Sequence, residues 1–125
     1  MVLLILTTAP HDPLSHTAVA LARALLAAGS ALAVFFYQDA VSVANRLLWQ
    51  PADRPNVQAE WQALAQAHAL ALPVCVSAAL ARGVSDADNA ARHGLSGENL
   101  AAGFSLTGLG TLAELTAQAQ KVIRL

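Results

Sequence analysis

Cysteine and histidine are scarce in this chain of 125 residues, which contains one cysteine, Cys75, and four histidines. A single cysteine excludes an internal disulfide, and the scattered histidines do not have the spacing of zinc ligands. We therefore expect no metal site. A protein without disulfides is also expected to act in a reducing compartment, the cytoplasm.

Long apolar runs are also missing, although 56% of the residues are hydrophobic. The run Val2–Leu6 is too short for the apolar part of a signal peptide, and no basic residue precedes it. Nowhere does the chain reach the roughly 18 consecutive apolar residues of a membrane helix. The sequence predicts neither a signal peptide nor a contact with the membrane.

Charged residues make up only 12% of the chain, and the formal net charge is −1. An ordinary soluble domain has roughly 25% charged residues. Without a cluster of lysines and arginines, direct binding of nucleic acid is not expected. Alanine explains part of the apolar excess, and the remainder predicts buried subunit interfaces, including a homo-oligomer when the chain is expressed alone.

Short apolar runs alternate with alanine-rich stretches that are typical of helices. Residues 14–28 are predicted to form the first helix, because Asp12 can cap it, Pro13 suits its first position and Gly29 can end it. The pattern predicts an α/β fold, a single domain over residues 1–125 with three layers. Its core is an open, mainly parallel, five-stranded sheet with helices on both faces, flavodoxin-like or Rossmann-like. The predicted strands cover residues 2–6, 31–37, 71–76, 103–106 and 122–125.

The connection between the second and third strands contains two pieces, residues 41–48 and 57–68, separated by a stretch rich in helix breakers, and the second piece is predicted to be a helix. Trp61 and Leu64 fall on one apolar stripe of the second piece, which predicts core packing. After the third strand, the polar segment 83–100 is predicted to form short helices or loops.

Cys75 lies where the third apolar run passes into a helix-like stretch, residues 77–82. Unpaired N–H groups and the positive end of a helix dipole favour an anion at such a place, which suits a thiolate nucleophile. Ser77 is the predicted N-cap of that helix. In the alternative interpretation Cys75 is a small buried hydrophobe, as free cysteines commonly are.

Ligands of open parallel sheets bind outside the carboxyl ends of the strands, where Cys75 is expected to lie. Gly108 and Gly110 precede the last predicted helix and could hold an anion on their N–H groups, but a third glycine is missing, so a tight turn is favoured. Arg82 follows Cys75 by about two helical turns. It either stabilises a thiolate or is a surface charge.

Three segments resemble the DsrE-type sulfur-relay proteins, and in particular their TusD branch. Residues 74–84, Val-Cys-Val-Ser-Ala-Ala-Leu-Ala-Arg-Gly-Val, resemble the cysteine motif of that branch. Residues 35–45 resemble its second-strand segment, and residues 103–114 resemble its Gly-Leu-Gly loop and last helix. The chain departs from the family at Ala81, where the motif commonly has the first of two arginines, and in the loop 8–13, which lacks the usual glycine and tyrosine.

The resemblance implies a cytoplasmic sulfurtransferase subunit that accepts a sulfane sulfur as a persulfide on Cys75 without any cofactor. In the TusD branch the sulfur serves 2-thiolation of the wobble uridine of tRNA. The implied partners are TusB-like and TusC-like subunits in a hetero-hexamer, a TusA-like donor, and a TusE-like or DsrC-like acceptor. Three alternatives remain: a DsrE-type subunit in sulfur oxidation, a structural subunit with an inert Cys75, and a flavodoxin-like binder of a small molecule.

Overall fold

Strands and helices alternate along residues 1–125 in the computed structural model, as the sequence pattern predicts. The five strands are β1 (Val2–Leu6), β2 (Leu32–Phe36), β3 (Leu72–Cys75), β4 (Phe104–Thr107) and β5 (Lys121–Arg124). The five α-helices are α1 (Pro13–Ala27), α2 (Val57–His68), α3 (Val76–Ala81), α4 (Ala87–His93) and α5 (Leu109–Gln118). A 3₁₀ helix covers Gln38–Ala44. None of the helices combines the length and the apolarity needed to cross a bilayer.

The strands form one sheet in the order β4-β3-β2-β1-β5, and every neighbouring pair is parallel. The predicted α/β fold is therefore confirmed, with a sheet that is entirely parallel. Because crossovers between parallel strands are right-handed, the connections from β1 to β4 lie on one face, and α5, which returns to the far edge, lies on the other. In this order β3 is flanked by β2 and β4.

Aromatic side chains from three elements meet at the centre of the core. Phe36 contacts Trp61 edge to face, with ring centroids 5.3 Å apart, and contacts Phe104 in the same way at 5.5 Å. Trp61 is buried on α2 together with Leu64, as the apolar stripe predicts. Edge-to-face pairs add to the stabilisation that burial provides, so this cluster fixes α2 on the sheet.

The ends of α1 are those that the sequence predicts. Asp12 is the N-cap and accepts a hydrogen bond from the N–H of Leu14 at 2.9 Å, and Pro13 occupies the first helical position. Gly29 follows the helix with a φ of +79°, in the left-handed region that glycine enters without steric cost. Residues next to the ends of α1 are therefore sufficient to predict where this helix begins and ends.

The segment after β2 differs from its prediction. The predicted piece covers residues 41–48, whereas the structure has the 3₁₀ helix Gln38–Ala44, which begins three residues earlier and ends at Asn45. The Asn45 side chain accepts a hydrogen bond from the N–H of Leu47 at 2.9 Å, and Asn45 pairs in antiparallel fashion with Leu100. This local side-chain bond competes with helical hydrogen bonding and turns the chain away at that residue.

Candidate functional site

Cys75 is the last residue of β3, and α3 begins at the next residue. It lies opposite Thr107 of β4 in the sheet register. The predicted place, at a strand end and a helix start, is therefore confirmed. The residue is only 2% exposed, and its thiol is free. The single thiol thus lies at the edge where open parallel sheets carry their sites, but inside the protein surface.

Ser77 does not have the predicted role of an N-cap. Cys75 itself is the residue before the helix, with φ −59° and ψ 118°, and its side chain makes no capping hydrogen bond. Ser77 is already the second residue of α3 and is exposed. The prediction failed because β3 passes directly into α3, so no extended residue remains between Cys75 and the helix.

Arg82 lies at the other end of α3 from Cys75, and its guanidinium group pairs with Asp39. The Nε and Nη2 atoms of Arg82 lie 3.1 and 3.0 Å from Oδ1 of Asp39, and Nη1 donates to the carbonyl of Ala78 at 3.2 Å. A helix of this length, six residues, separates its ends by about 9 Å. The charge of Arg82 is thus engaged by a carboxylate at the far end of α3.

Gly108 and Gly110 form the start of α5 and not a separate tight turn. Gly108 is its N-cap, and Gly110 is the second residue of its first turn. Both glycines are exposed, and the hydroxyl oxygens of Thr107 and Thr111 lie 2.6 Å apart beside them. Because Thr107 is opposite Cys75, this helix start is next to the cysteine across the sheet edge.

The strand order determines which loops approach Cys75. The segments after β2 and β4 flank it, whereas the loop after β1 is one strand further away. The segment after α3 is tied together by Asn99. There, the Asn99 side chain donates to the carbonyl of Gly83 at 2.8 Å and accepts from the N–H of Ser85 at 2.9 Å.

Asp39 and Asn99 are residues near the site whose partners the sequence does not predict. The partner of Asp39, Arg82, lies 43 positions away in sequence, and Asn99 also donates to the side chain of Asn45, 54 positions away, at 3.1 Å. Lone polar residues in loops give no local signal of such partners. Only the strand order, which places β2 beside β3, indicates that Asp39 can reach α3.

The burial of Cys75 gives a direct test with iodoacetamide, because no other thiol competes for the reagent. We expect the native protein to react more slowly than the urea-unfolded chain at the same pH, by about tenfold or more, since the reaction requires local opening. The rate is measured by intact-protein mass spectrometry. Equal rates for native and unfolded protein would contradict the buried position.

The fold and the site define an α/β protein with one thiol at the carboxyl edge of an all-parallel sheet. Residues 1–125 match the sequence profile of the DsrE/DsrF-like family. The chain therefore belongs to the DsrE/DsrF-like family, as its motifs predict.

Three bacterial relatives, each named Sulfurtransferase TusD, match most of the chain. The protein of Erwinia tasmaniensis is 43% identical over 123 residues, which cover 96% of both chains. That of Pectobacterium carotovorum is 45% identical over 111 residues, 88% of this chain and 86% of its own. That of Sodalis glossinidius is 50% identical over 101 residues, 80% of this chain and 78% of its own. The predicted enzyme class, a sulfurtransferase, is confirmed by these relatives.

Two solved structures share the fold. The YchN protein of E. coli superimposes with a TM-score of 0.80 at 24% identity, over 99% of this chain and 97% of its own. A protein of unknown function from Methanobacterium thermoautotrophicum gives a TM-score of 0.66 at 17% identity, over 99% and 96% of the two chains. At these identities the likeness shows the fold alone.

Proposed function

We propose that the protein is a sulfur-relay subunit that accepts a sulfane sulfur as a persulfide on Cys75 and passes it to an acceptor protein. The observation that carries the proposal is the position of the only thiol, at the end of β3 and directly before α3, in a chain similar to sulfurtransferases. The proposed setting is the cytoplasm, and the proposed destination of the sulfur is the 2-thiolated wobble uridine of tRNA.

Two sulfur exchanges make up the proposed reaction. The Cys75 thiolate attacks the outer sulfur of a donor persulfide, so that a new S–S bond forms at Cys75 while the S–S bond of the donor breaks. The donor leaves as a thiolate and takes up the proton that Cys75 has lost. An acceptor thiolate then attacks the outer sulfur of the Cys75 persulfide and releases the Cys75 thiolate. Nothing is oxidised or reduced overall, so this chain needs no redox partner.

The absence of a second cysteine supports a carrier over a thiol oxidoreductase. An oxidoreductase of the Cys-X-X-Cys kind needs a resolving thiol close to the first. Cys75 has no such neighbour, because it is the only cysteine of the chain. Once loaded, its persulfide cannot collapse into an internal disulfide and lose the outer sulfur. The sulfur can therefore leave only with a second molecule.

The proposed assembly contains TusB-like and TusC-like subunits, with a TusA-like donor and a TusE-like or DsrC-like acceptor. Large apolar side chains remain exposed on the isolated chain, which supports contact with other subunits. Trp49 is 80% exposed and Leu47 is 69% exposed. Others of this kind are Leu14, Leu95, Leu109 and Val122.

The proposal is tested by intact-protein mass spectrometry after incubation with a cysteine desulfurase, cysteine and a TusA-like donor. We expect a gain of about 32 Da, one sulfur atom, that a reductant removes. The control is the same mixture without cysteine, which supplies no sulfur. No gain in the presence of the folded protein and its partner subunits would contradict the proposal. The destination is tested separately, by the 2-thiouridine content of tRNA after deletion of the gene.

The burial of Cys75 favours a second candidate, a structural subunit with an inert thiol. A residue that is 2% exposed does not meet a partner's sulfur unless part of the protein moves. The two candidates differ in the loading experiment, since a structural subunit gains no mass even when its partners are present.

A further inference from the structure

We propose that the 3₁₀ helix Gln38–Ala44 is a movable cover over Cys75, and that Asp39 is a positioning residue that holds the cover closed through Arg82. The purpose of such a cover rests on the proposed function, since a relay cysteine has to meet a donor and an acceptor. The test measures only the access of a reagent to Cys75, so its result does not depend on whether the protein transfers sulfur.

The cover is placed over the junction that contains the thiol. It follows β2, the strand next to β3, and it packs against both β3 and α3. These are the two elements that meet at Cys75. Movement of the cover away from them would open the junction to solvent on this side.

The two ends of the cover are held in different ways, although Ala40 and Val41 near its amino end are buried like the residues at its carboxyl end. The carbonyl of Ala44 accepts a hydrogen bond from the N–H of Ala101 at 2.7 Å, and the side chain of Gln58 donates to the carbonyls of Val43 and Asn45 at 2.8 and 2.7 Å. At the amino end, the Asp39 carboxylate is paired with Arg82. The end that carries Asp39 has fewer polar attachments. Because lifting it also takes Ala40 and Val41 out of the core, the cover opens only in rare local unfolding events.

Three features lower the cost of lifting this end. Gln38 has a φ of +50°, which is unfavourable for a residue with a side chain. Seven residues is long for a 3₁₀ helix, whose hydrogen bonds have poorer geometry than those of an α-helix. A cavity of about 20 Å³ also adjoins the cover, and its lining includes Ala40 and Val43 of the cover as well as Phe36 and Trp61. The side chains at this place are therefore not fully packed.

The ion pair between Asp39 and Arg82 connects the cover to α3, the helix that begins at Cys75. The side chains are 68% and 34% exposed, so solvent weakens their attraction and the pair can break. The chain has one other ion pair, Arg23 with Glu60 at 3.4 Å, which connects α1 to α2. That second pair does not involve the cover and provides a matched control.

The test is the rate at which iodoacetamide alkylates Cys75, the only thiol, in the full-length protein. We expect Asp39→Asn and Arg82→Gln each to raise the rate by about two- to fivefold, the size expected from the loss of an exposed ion pair. The double variant is expected to react no faster than the faster single variant, because both remove the same interaction. Glu60→Gln, which breaks the control pair, is expected to leave the rate unchanged.

Two further measurements separate positioning from a general loosening of the structure. Asp39→Glu retains the charge and is expected to restore a rate close to that of the native protein. In 1 M NaCl, where the Debye length is about 3 Å, the native rate is expected to rise to that of Asp39→Asn. Thermal unfolding of each variant, followed by circular dichroism, shows whether the whole fold has been weakened.

Unchanged alkylation in Asp39→Asn and Arg82→Gln would overturn the proposal, and so would an equal acceleration in Glu60→Gln. The sulfur-loading experiment on the native protein is read separately. If the native protein loads no sulfur while the alkylation rates respond as expected, the proposed cover is supported and the proposed relay function is refuted. If sulfur loading succeeds while the alkylation rates of the variants are unchanged, the relay function is supported and the proposed cover is refuted.

Discussion

Replacing Cys75 by serine is expected to abolish the gain of one sulfur atom while the protein still folds. An alcohol oxygen cannot take the place of sulfur in a persulfide, and the chain has no other thiol. Residue 75 is the N-cap of α3, where a serine hydroxyl can accept a hydrogen bond from an N–H of the first turn, so the variant is expected to remain stable. Cys75→Ala, which removes the thiol and supplies no capping oxygen, serves as a second variant. Intact-protein mass spectrometry detects the loss of loading, and circular dichroism shows whether each variant is folded.

Ser77→Ala is the matched control for this substitution. Ser77 lies two residues from Cys75 in the same helix, but it is exposed and caps nothing. Its removal is expected to leave sulfur loading as in the native protein. A stable, reductant-sensitive gain of 32 Da on Cys75→Ser, about the mass of one sulfur atom, would refute Cys75 as the carrier.

Trp61→Ala is expected to lower the free energy of unfolding by about 3–5 kcal/mol, a large share of the 5–15 kcal/mol of a typical domain. Trp61 is 2% exposed, contacts Phe36 edge to face and lines the cavity that adjoins the 3₁₀ helix. Its removal would enlarge that cavity and separate α2 from the sheet. Urea unfolding followed by circular dichroism gives the free energy.

Trp49→Ala is the control, because Trp49 is the only other tryptophan and is 80% exposed. Exposed substitutions of this kind change stability by about 0.5 kcal/mol or less. If the two variants were destabilised equally, the assignment of Trp61 to the core and of Trp49 to the surface would be wrong.

Much of the fold could be predicted because its signals are local. The cap at Asp12, the proline after it and the glycine after α1 determine the ends of a helix within a few residues. The apolar run before Cys75 and the alanine-rich stretch after it similarly indicate the junction of β3 with α3. Patterns of this length depend on side chains that are close in the sequence.

Three features of the site could not be predicted from the sequence: the N-cap of α3, the partner of Arg82 and the burial of Cys75. Serine is a common N-cap residue, but β3 is followed directly by α3, so Cys75 and not Ser77 is the N-cap. The pairing of Arg82 with Asp39 follows from the position of β2 beside β3. The burial of Cys75 depends on packing by other elements of the fold, which the spacing of apolar residues in the sequence does not indicate.

The depth of Cys75 has a consequence for a sulfur atom in transit. Small thiols remove the outer sulfur from an exposed persulfide. A carrier with its persulfide on an open surface would therefore lose sulfur at a rate that rises with the concentration of these thiols. With the cysteine only 2% exposed, a loaded sulfur would be insulated from such thiols. Its departure would then depend on a partner that reaches the opened junction. Burial, which first suggests an inert residue, would in this way prevent loss of the sulfur between donor and acceptor.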